Sequence, residues 1–355
     1  MKESECDYLE IWNNLNSSEI KYDLEQELQV LENWDSLIKP VGSLGKLEKI
    51  IAQLYGIRAG KQVVIDKPIV TVFAADHGIA KDDTVTQWPQ EITGKLLEQM
   101  SLGKTAINCI AESNSIALAI FDCGTICNEQ IDKVTNIKLK HGSGDIRTLD
   151  ALTSKEVITM ITTGALIAKV QIQKELNLFI TGEVGIGNTT AASIIISKVL
   201  DKSASVIVGR GAGATDEGLV RKIEVVSQIV QSMELVTDPI EILRLVGGLE
   251  ICTLVGYMLQ LAISNQIIIL DGIITQSAAL VASLIRPELK KSLIFSHISA
   301  EPSAIYLREY FDCKPILDLN LRLGEGTGGA LSYPIIKAAF QCYLGMANIK
   351  ELNFD

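Results

Sequence analysis

Two glutamates lie inside glycine-rich segments of this 355-residue sequence, where their carboxylates could take part in chemistry. Glu325 lies in LRLGEGTGGAL, and Glu183 lies in TGEVGIGNTT. Glycine lets the main chain adopt positive φ and lets a ligand approach the backbone closely. Two carboxylates across a sugar form the arrangement that cleaves glycosidic bonds. We therefore interpret both as reactive groups facing a ligand, although Glu325 could instead be an acidic residue at the start of the following helix.

The segment TGEVGIGNTT also has the composition of an anion site. Gly185 and Gly187 free the backbone after an apolar run, and Asn188, Thr189 and Thr190 offer donors where a helix begins. Unpaired N–H groups and the positive end of the helix dipole favour phosphate at such a position. The segment has no P-loop lysine and does not fit G-x-G-x-x-G, so neither nucleotide fingerprint applies. A simple Asn/Thr helix cap is the alternative.

Two further segments carry polar residues after apolar runs. GRGAGATDEGLVRK supplies the cations Arg210, Arg221 and Lys222. The alternative is that Arg221 and Lys222 are solvated residues of a helix, which is more usual for such a pair. ADHGIA, with Asp76 and His77, suggests a metal ligand or a base. The alternative is that the carboxylate and the imidazole of ADHGIA both bind loop backbone.

Charge and hydropathy exclude several classes of protein. The net charge of −11 argues against a general nucleic-acid binder, which would show a basic patch. No apolar run reaches the roughly 18 residues that a membrane span needs, and the N-terminus MKESECDYLEIWNN is too polar and acidic for a signal peptide. We expect a cytoplasmic protein that binds neither nucleic acid nor membrane.

The cysteines are dispersed and odd in number. The sequence has seven, which indicates reduced thiols rather than a disulfide framework. Cys123 and Cys127 could begin a metal site, but there are only three histidines and no second close cysteine pair. We therefore predict no bound metal.

The elements that must position these residues follow from the apolar pattern. The first sixty residues read as helices, and KPVGSLGKLEKI reads as a turn that starts another helix. From Pro68 onward, short apolar runs end in polar or glycine residues, and a helix follows most of them: IVTVFAADHG, IALAIFDCG, LNLFITGEVG, SVIVGRGAG, QIIILDG and SLIFSHIS. Such alternation predicts an α/β fold, a parallel sheet with helices on both faces. Ligands bind at the carboxyl ends of the strands in these sheets, where the polar residues fall.

Eight segments in this order resemble one enzyme family. They are KPVGSLGKLE, ADHGIA, GEVGIGNTTAAS, GRGAG…DEGLVRK, GGLEICTLVG, LDGIITQSAAL, SHISAEPSA and LRLGEGTGGAL. The chain is similar over roughly residues 35–345 to nicotinate-nucleotide:dimethylbenzimidazole phosphoribosyltransferases, which make the lower ligand of cobamides. The resemblance implies a large α/β domain (66–339), a small helical domain from both chain ends (1–65 with 340–355), and a dimer.

The resemblance also implies a reaction and its residues. Nicotinate mononucleotide passes its ribosyl phosphate to an aromatic base with inversion, and nicotinate leaves without a metal or redox cofactor. Glu325 falls on the family's base-activating glutamate, and Glu183 falls on its partner. The residues implied for the nucleotide and its phosphate are Gly185, Gly187, Asn188, Thr189, Thr190, Gly211, Lys222 and Ser299.

The segment that would bind the base departs from the family pattern. Trp88 stands where a small serine is often found, and Leu96 stands where a glutamine is expected, with Leu323 as a third base contact. A large indole and an apolar leucine would shrink the pocket and remove a donor. Such a pocket would suit the branch of the family that attaches phenol or p-cresol and is built from two related chains. We therefore expect either a homodimer or a heterodimer with a related chain.

Two other functions remain open from the sequence. The chain could be a non-catalytic or co-catalytic subunit of a two-chain enzyme, although the presence of both Glu183 and Glu325 argues for catalysis. A nicotinamide-dependent dehydrogenase would need G-x-G-x-x-G after the first strand. AADHGIAKDD does not provide it.

Overall fold

The computed structural model describes residues 5–81, 85–148, 150–211 and 213–352, without the side chains of residues 5–7. Its strands are β1 (Pro68–Ala75), β2 (Ala117–Gly124), β3 (Val134–Asn136), β4 (Leu178–Val184), β5 (Ile267–Leu270), β6 (Leu293–Phe295), β7 (His297–Ser299) and β8 (Leu317–Leu321). No helix within these ranges is long and apolar enough to cross a membrane.

Helices precede and alternate with the strands. Three come before the sheet: α1 (Glu5–Ser17), α2 (Leu24–Ser36) and α3 (Lys46–Arg58). The others are α4 (Glu91–Ser101), α5 (Ala106–Ser113), α6 (Ser154–Gln173), α7 (Asn188–Leu200), α8 (Ala204–Ile207), α9 (Asp216–Ser232), α10 (Pro239–Val246), α11 (Leu249–Ile263), α12 (Ile273–Ile285), α13 (Ala304–Phe311) and α14 (Thr327–Gly345). The helices predicted within the first sixty residues are thus confirmed.

The main sheet has the order β3-β2-β1-β4-β5-β6, and every neighbouring pair is parallel. Alternate residues of β1 enter two different cores, as the pleat requires. Ile69 and Phe73 face a core shared with α6, α7, α11 and α12, while Val70 and Val72 face one shared with α3 and α14. The predicted α/β class, a parallel sheet with helices on both faces, is confirmed.

Three details of the strand prediction are wrong. SVIVGRGAG contains part of the short helix α8 instead of a strand, because one helical turn buries Ile207 near α7 and α9 while Val206 stays exposed. SLIFSHIS is two strands, with β6 in the main sheet and β7 paired to β8. The strands β3 and β8 were not predicted, since β3 has three residues and β8 has a largely exposed burial pattern.

The N-terminal helices pack on both sides of the sheet. Leu15 of α1 lies in the same core as α6 and α11, whereas Trp34 of α2 lies in the core of α3 and α14. Arg286 fastens α1 by donating to the carbonyls of Leu15 (3.0 Å) and Ser18 (2.5 Å). The division into a domain of 1–65 with 340–355 and one of 66–339 stays a prediction.

Two glycines set the crossing of α6 and α11. A Cβ atom on Gly164 would lie 1.9 Å from the carbonyl oxygen of Thr253, and one on Gly256 would lie 1.7 Å from that of Ile161. The two backbones therefore touch directly, and no side chain can swing aside to make room. The two helices cover the face of the sheet to which Ile69 and Phe73 of β1 point.

We expect Gly256→Ala to lower the free energy of unfolding by about 3 kcal/mol, the upper part of the range for overpacked cores. The reason is that the added methyl meets backbone atoms. Gly345→Ala, in helix α14 with open space around its Cα, is the matched control and should change stability by less than about 1 kcal/mol. Urea denaturation measures both, and equal effects would contradict this account of the crossing.

Candidate active site

A cavity of about 750 Å³ opens where β4, β5, β7 and β8 end. This is the edge at which parallel sheets bind ligands. Its lining includes ten residues predicted from the sequence: Trp88, Leu96, Glu183, Gly185, Asn188, Thr189, Gly211, Ser299, Leu323 and Glu325. The other three, Gly187, Thr190 and Lys222, line a narrow cleft that shares Gly185, Asn188 and Thr189 with the cavity. The structure thus brings all thirteen residues to one place.

Glu325 has an unusual backbone. Its φ is +61°, between Gly324 at +90° and Gly326 at +85°. The left-handed region costs a residue with a side chain about 1–2 kcal/mol. Its N–H donates to the carbonyl oxygen of Glu183 (3.1 Å). Helix α14 begins two residues later, at Thr327, without a side-chain cap, so Glu325 lies near the start of this helix but does not cap it.

Asp271, just after β5, fixes the loop that carries Glu325. Its fully buried carboxylate accepts hydrogen bonds from the backbone N–H groups of Gly326 (3.0 Å), Gly328 (2.8 Å) and Gly329 (3.3 Å). Its Oδ1 also lies 3.7 Å from Nδ1 of His297. The pattern of apolar runs marks Asp271 only as the end of a strand, and its role in fixing this loop was not predicted. An acid directly after a buried strand was the available signal.

Glu183, near the end of β4, lies beside this loop. Its Oε2 accepts a hydrogen bond from the side-chain amide of Asn188. A Cβ on Gly324 would lie 2.7 Å from its Oε1, so only glycine allows this approach. Burial raises the pKa of Glu183 well above its usual value, and the negative charges of Asp271 and Glu250 raise it further. Its surroundings therefore favour the protonated form of Glu183.

The Glu325 carboxyl group is also placed to accept a proton. Only 7% of the residue is exposed, and Oε2 has no hydrogen-bond partner in the part of the chain that the structure describes. Burial raises the pKa of Glu325, the backbone N–H of Ile107 lowers it, and the charge of Asp271 raises it. The net rise brings this carboxylate closer to the basicity that a general base needs near neutral pH.

The start of α7 is open for an anion. Its N-cap is Gly187, at φ +96°, and no side chain caps the first turn, so the alternative of a simple Asn/Thr cap is wrong. The Asn188 amide is engaged by Glu183 instead of pointing to a ligand. The backbone N–H of Asn188 donates to the carbonyl oxygen of Gly185 (3.4 Å), and that of Thr190 donates to the carbonyl oxygen of Gly187 (3.0 Å). Among the first three N–H groups of the helix, that of Thr189 therefore remains available for a phosphate. A direct phosphate contact of the Asn188 side chain stays a prediction.

Lys222 on α9 reaches the same cleft. Its ammonium donates to Oγ1 of Thr189 (2.9 Å), and the residue is only 2% exposed. Burial lowers its pKa to about 8, while the charge of Glu301 acts in the opposite direction. The alternative of two solvated cations is therefore wrong for Lys222. It holds for Arg221, whose side chain is 42% exposed and lies 3.5 Å from Glu224.

The ADHGIA segment lies next to Gly187 at the start of α7 and contributes buried polar side chains there. Asp76 accepts from the Thr93 hydroxyl (2.5 Å) and the Ile126 N–H (2.8 Å), so the alternative of a carboxylate that binds loop backbone fits it. His77 instead pairs through Nε2 with Glu250 (2.7 Å), and both residues are buried. Within the described ranges, no group of three or more His, Cys, Asp and Glu side chains could hold a metal ion.

The wall opposite the glycine loops comes from the segment that ends in α4. Trp88 is 47% exposed and lines the cavity, as do Leu96 and Gln99 one turn further along the helix. Leu323, from the loop after β8, is 57% exposed at the same cavity. Trp88 therefore lines the cavity, as predicted, and this wall combines the apolar Trp88 and Leu96 with the polar side chains of Lys95 and Gln99.

Comparison with known proteins gives a consistent result. A family model described as phosphoribosyltransferase matches residues 20–353. The chain is 36% identical over 319 residues to nicotinate-nucleotide–dimethylbenzimidazole phosphoribosyltransferase of Photobacterium profundum, covering 89% of this chain and 93% of that protein. For the protein of the same name from Acetivibrio thermocellus, the identity is 36% over 318 residues, covering 89% and 90%. The crystal structure of CobT from Thermus thermophilus matches with a TM-score of 0.87 and 30% identity over 93% of this chain and 99% of that one.

Lys222→Met should remove a pH dependence of stability. As the pH rises from about 7 to 9.5, the native chain loses the Lys222 proton first, because the pKa of an unfolded lysine is about 10.4. The unfolded state then holds more protons, so the parent gains stability, on the order of 2 kcal/mol for a native pKa of about 8. Urea denaturation at the two pH values measures this gain. It should persist in the control Arg221→Met, and its persistence in Lys222→Met would refute the assignment.

Proposed function

Because the chain belongs to the nicotinate-nucleotide–dimethylbenzimidazole phosphoribosyltransferase family, we propose that it transfers ribosyl 5-phosphate from nicotinate mononucleotide to an aromatic base and releases nicotinate. The product is an α-riboside phosphate for cobamide synthesis. One observation carries the assignment of the site: the buried Glu325 carboxyl group has an unpaired oxygen and lines the cavity next to an open helix start. Family membership removes the dehydrogenase alternative.

The chemistry needs one proton acceptor. The bond between C1′ and the pyridinium nitrogen breaks, and its electron pair neutralises the ring, so the leaving group takes no proton. A bond forms between C1′ and a nitrogen or oxygen of the incoming base, which must lose its proton. Glu325 accepts that proton as the general base. Its raised pKa suits this task, and holding both substrates together supplies much of the remaining rate.

The nucleotide would lie across the start of α7. Its phosphate would accept a hydrogen bond from the backbone N–H of Thr189 in the first turn, and Lys222 adds a cation beside the Thr189 hydroxyl. Gly187 is required there because a Cβ would lie 3.0 Å from the Cβ of His77, in addition to its positive φ. Glu183 acts as the partner carboxyl group. It positions the Glu325 loop through its carbonyl oxygen and can hold a proton next to the reacting centre.

The base would lie between Glu325 and the wall formed by Trp88, Leu96 and Leu323. Leu96 and Leu323 offer no donor to a second ring nitrogen, and the indole of Trp88 occupies volume, although Lys95 and Gln99 add polar groups to the same lining. Phenol or p-cresol has one ring and one acidic hydroxyl, which Glu325 alone can accept. We propose that phenolics bind at least comparably to benzimidazoles, and that the enzyme is a homodimer or a heterodimer with a related chain.

A subunit that only completes an active sibling is the second candidate. It shares the fold but needs no complete site. The unpaired, buried Glu325 carboxyl group favours catalysis by this chain. Turnover of nicotinate mononucleotide by the purified chain alone distinguishes the two, since a non-catalytic subunit would show none.

Glu325→Gln should lower kcat by about a hundredfold to ten-thousandfold, the usual loss for a general base, and leave nucleotide affinity nearly unchanged. Glu98→Gln, on the exposed side of α4, is the control and should have no effect. In the parent, kcat should fall as the pH drops through the raised pKa of Glu325, because only the carboxylate accepts a proton. Steady-state kinetics measures both, and a variant with parental kcat would remove Glu325 from this role.

Trp88→Ser should shift preference toward dimethylbenzimidazole over p-cresol by enlarging the base pocket. A contact of this kind changes preference by about 1–3 kcal/mol, so both bases should still react. A competition assay with both bases present gives the product ratio for parent and variant. The same ratio in both would mean that Trp88 does not select the base.

A further inference from the structure

The charges of the cavity are mismatched to the nucleotide that the proposed function requires. Three buried or nearly buried glutamates line it: Glu183, Glu301 and Glu325. Nicotinate mononucleotide carries two anionic groups, the 5′-phosphate and the carboxylate of its pyridine ring. Lys222 and the start of α7 account for the phosphate alone. The ring carboxylate needs a cation of its own in an acidic cavity.

Two cations line the cavity within the described residues, and they lie on different walls. Lys95 is on α4 with Trp88 and Leu96, the wall assigned to the incoming base. Arg322 follows β8 and reaches the loop of Gly211 instead, with its Nη1 donating to that carbonyl oxygen (3.3 Å). Displacement with inversion puts the incoming and leaving rings on opposite sides of C1′. The leaving ring then lies away from α4, and of these two cations Arg322 is the one that is not on α4.

Contacts around Gly211 tie Arg322 to the nucleotide side. The N–H of Gly211 donates to Oε1 of Glu301 (3.1 Å). A Cβ on Gly211 would lie 2.7 Å from Oγ1 of Thr189, which also accepts from Lys222. Arg322 thus contacts Gly211, which in turn lies against Thr189 in the phosphate cleft. The side chain of Arg322 is exposed, and the hydrogen bond described for it uses only Nη1, so its guanidinium keeps other donors available for a ligand.

We propose that Arg322 binds the carboxylate of the nicotinate ring and thereby selects nicotinate mononucleotide over nicotinamide mononucleotide. This role rests on the proposed function, in which nicotinate is the leaving group that Arg322 would recognise. A guanidinium suits this task because its planar fork binds a carboxylate through two parallel hydrogen bonds. The amide of nicotinamide has no charge and cannot form that pair. Arg322 is a specificity residue and takes no proton in the reaction.

The test compares the two nucleotides in four proteins: parent, Arg322→Met, Arg322→Lys and the control Lys95→Met. Arg322→Met should lower kcat/KM for nicotinate mononucleotide by about tenfold to a hundredfold, as expected for a lost charge-assisted hydrogen bond. It should leave kcat/KM for nicotinamide mononucleotide nearly unchanged. Product inhibition by nicotinate should weaken by a similar factor, and inhibition by nicotinamide should not. Arg322→Lys should fall between, and Lys95→Met should keep the parental ratio.

Where turnover of the amide nucleotide is too slow to measure, its inhibition constant against nicotinate mononucleotide replaces kcat/KM in the ratio. An equal loss with both nucleotides would overturn the proposal, because it would place Arg322 at the phosphate or in loop structure. No loss with either would overturn it too. A parent that neither binds nor turns over nicotinate mononucleotide would count against the proposed function instead. Arg322→Lys retains a cation and so tests the assignment if Arg322→Met fails to fold.

Discussion

One buried carboxylate holds the reactive loop in place. Asp271 accepts three backbone N–H groups from the turn that begins α14, and these groups would otherwise lack partners at a buried helix start. An unpaired buried N–H group costs about 1–3 kcal/mol, so the loop has little freedom to adopt another conformation. Because Glu325 lies directly before this clamped turn, its position follows from Asp271. Burial raises the pKa of Asp271, while His297 and the three N–H groups lower it.

The same arrangement concentrates acidic groups. Asp271 and Glu250 raise the pKa of Glu183, and Asp271 raises that of Glu325. Like charges held together in a region of low dielectric favour protonation of some of them. A raised pKa makes a carboxylate a stronger base, which suits the proposed role of Glu325 as a general base near neutral pH. The same acidic groups repel an anionic nucleotide. The buried cation Lys222 opposes this repulsion, although burial lowers the pKa of its ammonium group.

Local sequence identified the reactive groups but not their supports. Glu183 and Glu325 stood out because acids are rare among clustered glycines, and the alternation of apolar runs and helices predicted the sheet. The burial of Lys222 was not predictable, since most helix cations are solvated, and only the fold shows that α9 packs on α7. The pairing of His77 with Glu250 joins residues 173 positions apart, which no local pattern encodes. The strand predicted in SVIVGRGAG is wrong because a short apolar run can be buried equally well as a helical turn.

The loop before α14 has glycine at positions 324 and 326 and glutamate at position 325, and these residues are there for different physical reasons. Gly324 allows the approach of Glu183, and a Cβ on Gly326 would lie 2.7 Å from Cγ1 of Val70. Glu325 shares their left-handed backbone but has room for a side chain. Other residues with side chains at positive φ, such as Asp201 and Asp312, end helices, where this conformation is common. At position 325 glycine would relieve the strain, so the presence of a strained glutamate supports the proposed role of its carboxyl group, since backbone strain is usually retained at functional sites.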